Sequence, residues 1–311
     1  VTYMIDQGYD VTQLFGIPNF YNKFGYASSM PDTHFTIQTR DAEDAGDHRQ
    51  ALTARPAESS DIPEILKLYN AHNAMRTCSI IRHADRVTEF RKGTRYGKSP
   101  VVRVWEHDNG QLAGYAVWDD EDAHVRVAEV DAWDDALYAT ILYALAENAI
   151  AKRCGEIEIY APPDHPFAEY AQRYGTTWTI DFPRDAAAMM RILNQRPLME
   201  KLRAELERRL AISPMAGYTG SVALATDLDT TLMTFDTGRL TLTGTEDDAE
   251  PTDVDATLTL PQDKLMQCIV GYRSIRDVLN SPGVTLDGEG GPLLNALFPR
   301  QHPYTWRADH Y

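Results

Sequence analysis

The chain has 311 residues, 43% of them hydrophobic, which allows about two domains with sizeable cores. Its formal net charge of −16 repels phosphate backbones, so nucleic-acid binding is disfavoured and cationic small molecules are attracted, although much of the acid serves solubility. No run reaches the ~18–20 apolar residues of a membrane span and no signal-peptide pattern opens the chain. Cys78, Cys154 and Cys268 stand alone, which favours a reducing cytoplasm and, with no HxxxH spacing among the histidines, no metal site.

Val1–Gln7 reads as the last turn of a helix ended by Gly8, and Tyr9–Phe15 as a strand. The strand ends at a Gly-Ile-Pro break. A short aromatic helix then carries Phe20, Tyr21 and Phe24 into Gly25-Tyr26. Thr33–Arg40 alternates like a strand, and Asp41–Gln50 reads as a charged linker.

A second unit starts near Leu52 with a strand, a turn and a helix. Asp61 is the expected N-cap, with Glu64 three residues on and Pro63 in the first turn. VVRVWEHDNGQLAGYAVWDD is a hairpin turning at Asp108-Asn109-Gly110. A strand over His124–Val130 precedes a helix over Asp135–Arg153 that Gly155 ends, and the strand GEIEIYAPP and the short helix FAEYAQRYG follow. This order (strand, Pro break, aromatic helix, Gly) repeats residues 9–26. Aligning Gly25 with Gly175 sets Phe20 on Tyr170, Tyr21 on Ala171 and Phe24 on Tyr174.

A third unit opens with MMRILNQRPLMEKLRAELERRL, read as helical with Leu198, Leu202, Leu206 and Leu210 on one face. Four alternating strands, GSVALATDL, TTLMTFDTG, RLTLTGT and DATLTLP, surround the acidic run Glu246–Asp255, which reads as a loop. One helix over QDKLMQCIVGYRSIRDVL, the strand GVTLDG and the terminal helix PLLNALF complete it. GEGGP (Gly288–Pro292) lacks the spacing of a phosphate loop and reads as a turn.

LFGIPNFYNKFGY and ARPAESSDIPEILKLYNAH resemble segments of GNAT acetyltransferases. The order of units, with MMRILN and the ending FPRQHPYTWRADHY, resembles the Eis (enhanced intracellular survival) family. The resemblance covers essentially the whole chain. It implies an α/β (α+β) protein: the closing part of a GNAT domain with its linker at residues 1–50, a degenerate GNAT domain at 51–184 and a sterol-carrier-protein-2-like α/β domain at 185–311. It also implies that the acetyl-CoA pyrophosphate loop lies upstream of Val1. The equivalent stretch of the central unit, EVDAWDDALYAT, has no glycine and carries Asp131, Asp134 and Asp135, which would repel a pyrophosphate. With Ala171 in place of Tyr21, the central copy is expected to be inactive.

The activity implied is acetyl transfer from acetyl-CoA, as co-substrate without a metal, to an amine of a cationic acceptor, either an aminoglycoside-like polyamine or a lysine. The resemblance makes Tyr21 the general acid that protonates the leaving thiolate, and the main-chain carboxylate of the terminal Tyr311 the base. From the residues alone Tyr21 reads as packing beside Phe20 and Phe24; Tyr26 is the fallback acid. Asn19 and Phe20 are expected at the acetyl-CoA, and Phe24 and Asp309 at the acceptor. His310 could shift the terminal carboxylate. Pro303, Tyr304 and Trp306 suggest a docked tail. The resemblance further implies a homo-oligomer, a hexamer in many relatives, with neither nucleic acid nor membrane as partner. A non-catalytic small-molecule or lipid-binding module with a degenerate GNAT fold is the competing expectation.

Overall fold

A computed structural model describes residues 1–97, 99–244 and 254–310. The chain opens with α1 (Thr2–Asp6) and β1 (Val11–Gly16), then a 3₁₀ turn over Tyr21–Phe24. β2 (Ala27–Ser28) and β3 (Asp32–Gln38) follow. The expected linker is helical instead: α2 (Thr39–Glu43) runs into a 3₁₀ turn over Asp44–His48. Its acids face water, while Ala42 and Ala45, three apart, are fully buried in the same core as the long helix α4 described below.

β4 (Thr53–Pro56) and α3 (Ile62–Asn73) come next. Asp61 caps differently from expectation. With Glu58 it forms a capping box around the 3₁₀ turn Ser59–Asp61, accepting from Glu58 N at 2.7 Å. The hairpin of β5 (Pro100–Glu106) and β6 (Leu112–Asp119) closes through a left-handed Gly110. β7 (Val125–Ala132), a 3₁₀ turn over Asp135–Leu137, α4 (Tyr138–Ala151) and β8 (Glu156–Ile159) follow. Beyond α4 the left-handed position is taken by Arg153 (φ 56°), not Gly155. α5 (Pro166–Ala171), a 3₁₀ turn over Gln172–Tyr174 and β9 (Thr176–Asp181) complete the repeat.

Met189–Ile192, expected as helix, belongs to β10 (Ala187–Ile192). This strand lies between β1 and β2 and pairs antiparallel with both, so sheet pairing overrides the helix preference of Ala and Met. Helix α6 (Gln195–Ala211) starts only afterwards, with Leu206 and Leu210 buried. β11 (Gly220–Ala225), β12 (Thr230–Asp236), β13 (Arg239–Gly244) and β14 (Ala256–Thr259) are the four expected strands, and most of the acidic run before β14 lies outside the described residues. The next expected helix is two, α7 (Gln262–Ile269) and α8 (Ile275–Val278), separated at Gly271 (φ 76°). β15 (Thr285–Gly288) and α9 (Gly291–Leu297) precede the tail. Among the described residues no helix is long and apolar enough to cross a membrane.

These elements form two compact units. The first joins Val1–Pro31 to Phe182–Gln301; the second joins Asp32–Asp181 to the tail from His302. The expected first segment, residues 1–50, thus contributes to both units. The first unit contains the three-stranded sheet β1-β10-β2 and the five-stranded sheet β13-β12-β11-β14-β15, in which only β11 and β14 are parallel. The second unit is built on a seven-stranded sheet, β4-β5-β6-β7-β8-β3-β9, antiparallel except between β7 and β8. All of β6 is buried because both faces are covered. Ala113, Ala116 and Trp118 join the core with α4, and Leu112, Tyr115 and Val117 join the core with α3.

β7 and β8 pair only over Val125–Val127 and Ile157–Ile159, while β7 continues to Ala132. Beyond that point the tail adds Tyr304 and Trp306 to the core that also holds Val130, Ala132, Ala161 and Phe167.

Candidate active site

In the first unit, β1 ends at Gly16, where an added Cβ would lie 2.7 Å from Met189 Sδ and 2.9 Å from the Tyr21 ring. Asn19 takes a left-handed conformation (φ 58°), and its N–H donates to the Asp185 carbonyl at 3.0 Å. The 3₁₀ turn over Tyr21–Phe24 then closes on Gly25 (φ 78°), a geometry that favours glycine. Asn19, Phe20, Tyr21 and Phe24 are therefore together on one turn. The ring of Phe20 meets Tyr21 edge-on at 5.0 Å and Phe24 at 5.6 Å. Phe20 and Phe24 remain 44% and 52% exposed, so this aromatic surface is not core packing. Tyr21 is half-buried, and among the described residues nothing hydrogen-bonds its hydroxyl. Tyr26 differs: it is 8% exposed and donates to Thr12 Oγ1 at 3.3 Å, which commits the fallback acid to packing.

Tyr311 lies outside the described residues. The tail before it is docked in the second unit. Tyr304 N donates to Thr77 O at 3.0 Å, Thr305 Oγ1 to Cys78 O at 2.8 Å, and Trp306 Nε1 to Asn73 Oδ1 at 2.8 Å. Arg307 is paired with Asp32. Asp309, expected to face a cationic acceptor, is already neutralised. Its oxygens accept from Arg82 Nε and Nη2, both at 2.9 Å, and from Tyr69 OH at 3.0 Å. Arg82 is 4% exposed and also grips Glu129, itself 1% exposed, through Nη1 at 2.7 Å and Nη2 at 2.6 Å, with its guanidinium 3.6 Å over the Tyr69 ring. Burial works against the Arg82 charge, but the two carboxylates outweigh it and keep the group firmly protonated. Burial pushes the Glu129 carboxyl up against the pull of Arg82.

Two tail-associated histidines are held neutral. Burial lowers His165, whose ring meets Trp306 edge-on, to about 4, and lowers His310, bonded to the Thr305 carbonyl, also to about 4. Both values lie below the ordinary ~6.5, so between pH 6.5 and 4 the unfolded chain binds protons that the folded chain refuses. Stability is therefore expected to fall as pH drops through that window, by up to about 1.4 kcal/mol per pH unit for each histidine. Urea denaturation at pH 7, 6 and 5 measures this. A flat profile, or an unchanged slope in His165→Asn, would contradict it.

The sequence matches no protein-family profile and no curated protein. Solved structures do match. A GCN5-related N-acetyltransferase from Kribbella flavida is similar over 100% of this chain and 72% of its own, at 16% identity and a TM-score of 0.69. A probable N-acyltransferase from Enterococcus faecalis is similar over 100% of this chain and 74% of its own, at 14% identity and a TM-score of 0.74. The fold is that of the GCN5-related N-acetyltransferases. Eis1 from Mycobacterium abscessus shares it over 100% of this chain and 75% of its own, at 16% identity and a TM-score of 0.59.

The second unit of this GNAT-fold chain repeats the strand, short helix and left-handed glycine (Gly175, φ 77°), with a fully buried Ala171 where the first has Tyr21. At the start of its long helix the Asp134 carboxylate accepts from Ala136 N at 2.9 Å, so the helix N-terminus is already capped by an anion. Asp131, 2% exposed, accepts from the His72 ring at 2.8 Å and from its neighbour's backbone, Ala132 N, at 2.8 Å. The Arg82 cluster and the His72–Asp131 pair were not foreseen. Their signal was the alternation in AEVDA: Glu129 and Asp131 sit inside a buried strand, where acids need partners. Among the described residues no cluster of His, Cys, Asp or Glu is placed to hold a metal.

Proposed function

We propose that this protein transfers an acetyl group from acetyl-CoA directly to an amine of a cationic acceptor, an aminoglycoside-like polyamine or a lysine side chain. The observation that carries this reading is the Tyr21 turn: a half-buried phenol with an uncommitted hydroxyl, held beside exposed aromatic rings in a chain whose fold matches N-acetyltransferases from end to end. The acceptor nitrogen attacks the thioester carbonyl carbon, the C–S bond breaks, and Tyr21 delivers a proton to the departing thiolate. The Tyr311 carboxylate takes the proton that the acceptor ammonium loses to free its lone pair for attack. With an ordinary pKa of about 3.5 it acts through water or after desolvation. Asn19 and Phe20 border the acetyl-CoA, and Phe24 the acceptor. The role first given to Asp309 passes to holding the tail. A cytoplasmic homo-oligomer, hexameric by resemblance, and a sterol-carrier-like fold for the five-stranded sheet complete the proposal.

The test is thiol release from acetyl-CoA by the protein with a panel of polyamines. One residue added after Tyr311 displaces the carboxylate by a peptide unit and is expected to lower kcat at least about tenfold. An unchanged rate removes Tyr311 from the mechanism. A groove of about 470 Å³ in the first unit, lined by Ile212, Pro214, Met215, Pro292 and Ala296, favours the second reading, a non-catalytic binding module for apolar molecules. Absence of thiol release from folded protein with every acceptor would select it.

A further inference from the structure

The first unit holds a pocket of about 400 Å³ between Asn22 of the Tyr21 turn, Gly25–Ser28, Pro183–Asp185 and the first turns of α7. Two glutamines of α7 reach under β2. Gln262 is fully used: Nε2 donates to Gly25 O at 2.6 Å and Oε1 accepts from Ile192 N at 2.9 Å. Gln267 is not. Its Nε2 donates to Ser28 O at 2.8 Å, and because a carbonyl can only accept, this fixes which way the amide points. The other end, Oε1, is buried with no partner among the described residues, in a side chain on the pocket wall that is 6% exposed. An orphaned buried acceptor is costly, and a ligand N–H would satisfy it.

The charges favour the same ligand. Three carboxylates, Asp185, Asp227 and Asp263, line the pocket against two cations, Arg184 and Lys264. Lys264 is occupied by Asp263 at 3.1 Å, and the Arg184 side chain is 93% exposed. Asp227 accepts from Gln262 N at 2.6 Å and has no paired cation among the described residues. Its carboxylate also occupies the N-terminus of α7, a feature that would otherwise draw an anion. Tyr272, 8% exposed, supplies an aromatic wall for an aliphatic stem.

We propose that this pocket binds a small alkylammonium ion, drawn in by the Asp227 carboxylate and donating a hydrogen bond to Gln267 Oε1. The pocket borders the Tyr21 turn at Asn22, and binding is measured without acetyl-CoA, so its failure is distinguishable from failure of acetyl transfer. Calorimetric titration of the full chain with n-butylammonium, butyrate and n-butanol at constant ionic strength tests it. Saturable binding of n-butylammonium alone is expected. Asp227→Asn, which keeps a capping oxygen, and Gln267→Met, which keeps the side-chain shape, should each weaken it about tenfold. Melting temperatures near wild type confirm that both variants are folded. Butyrate or butanol binding as tightly as the amine, butylammonium heats that never saturate, or folded variants that bind like wild type would each overturn the proposal.

Discussion

Tyr21→Phe is expected to lower kcat for thiol release from acetyl-CoA by about 10²–10³-fold while KM for acetyl-CoA stays within about threefold. The phenol hydroxyl is the one group lost, and with it the proton proposed to pass to the thiolate as the C–S bond breaks. The Phe ring still packs against Phe20 and over Gly16, and no described residue loses a hydrogen bond, so folding stability should change by less than about 0.5 kcal/mol. Tyr26→Phe is the comparison. It breaks the bond to Thr12 and should cost about 1 kcal/mol of stability with little effect on kcat. A Tyr21→Phe protein that turns over at the wild-type rate would end the general-acid assignment, and a slow Tyr26→Phe protein would transfer it.

What the sequence made legible follows from period and punctuation. The aromatic turn was visible because Gly16, Pro18 and Gly25 bracket it, and both Gly25 and Gly175 adopt the left-handed conformation that makes them punctuation. Alternation identified β3 as a strand, but alternation names no partner. Nothing in Asp32–Gln38 says that it lies between β8 and β9, or that β10 lies between β1 and β2. α2 was hidden because its acids dominate composition, while the two alanines that bury it are individually uninformative. The docked tail was readable from Tyr304 and Trp306. The use of Asp309 was not, because its partner Arg82 is 227 residues away in a segment without regular structure.

Burial between two carboxylates gives Arg82 a large expected effect on stability. Arg82→Met removes the cation from between two acids and leaves Glu129 and Asp309 facing each other, with Glu129 fully enclosed. Breaking a buried pair from one side costs about 3–5 kcal/mol, more than the intact pair contributes, because the remaining charge has no solvent. Urea denaturation near neutral pH should show that loss. Glu129→Gln added to Arg82→Met should recover about 1–3 kcal/mol, since the neutral amide can still accept from Tyr115 OH and no longer repels Asp309. A single variant losing less than about 1 kcal/mol, or a double variant no better than the single, would mean that the cluster is solvated rather than enclosed. The same network connects to the proposed chemistry. Arg82 holds Asp309, two residues before Tyr311, so under the proposed role of Tyr311 its removal should also slow thiol release. A double variant that regains stability but not thiol release would separate the two roles, placing Arg82 as a positioning residue for the tail as well as a buried counter-ion.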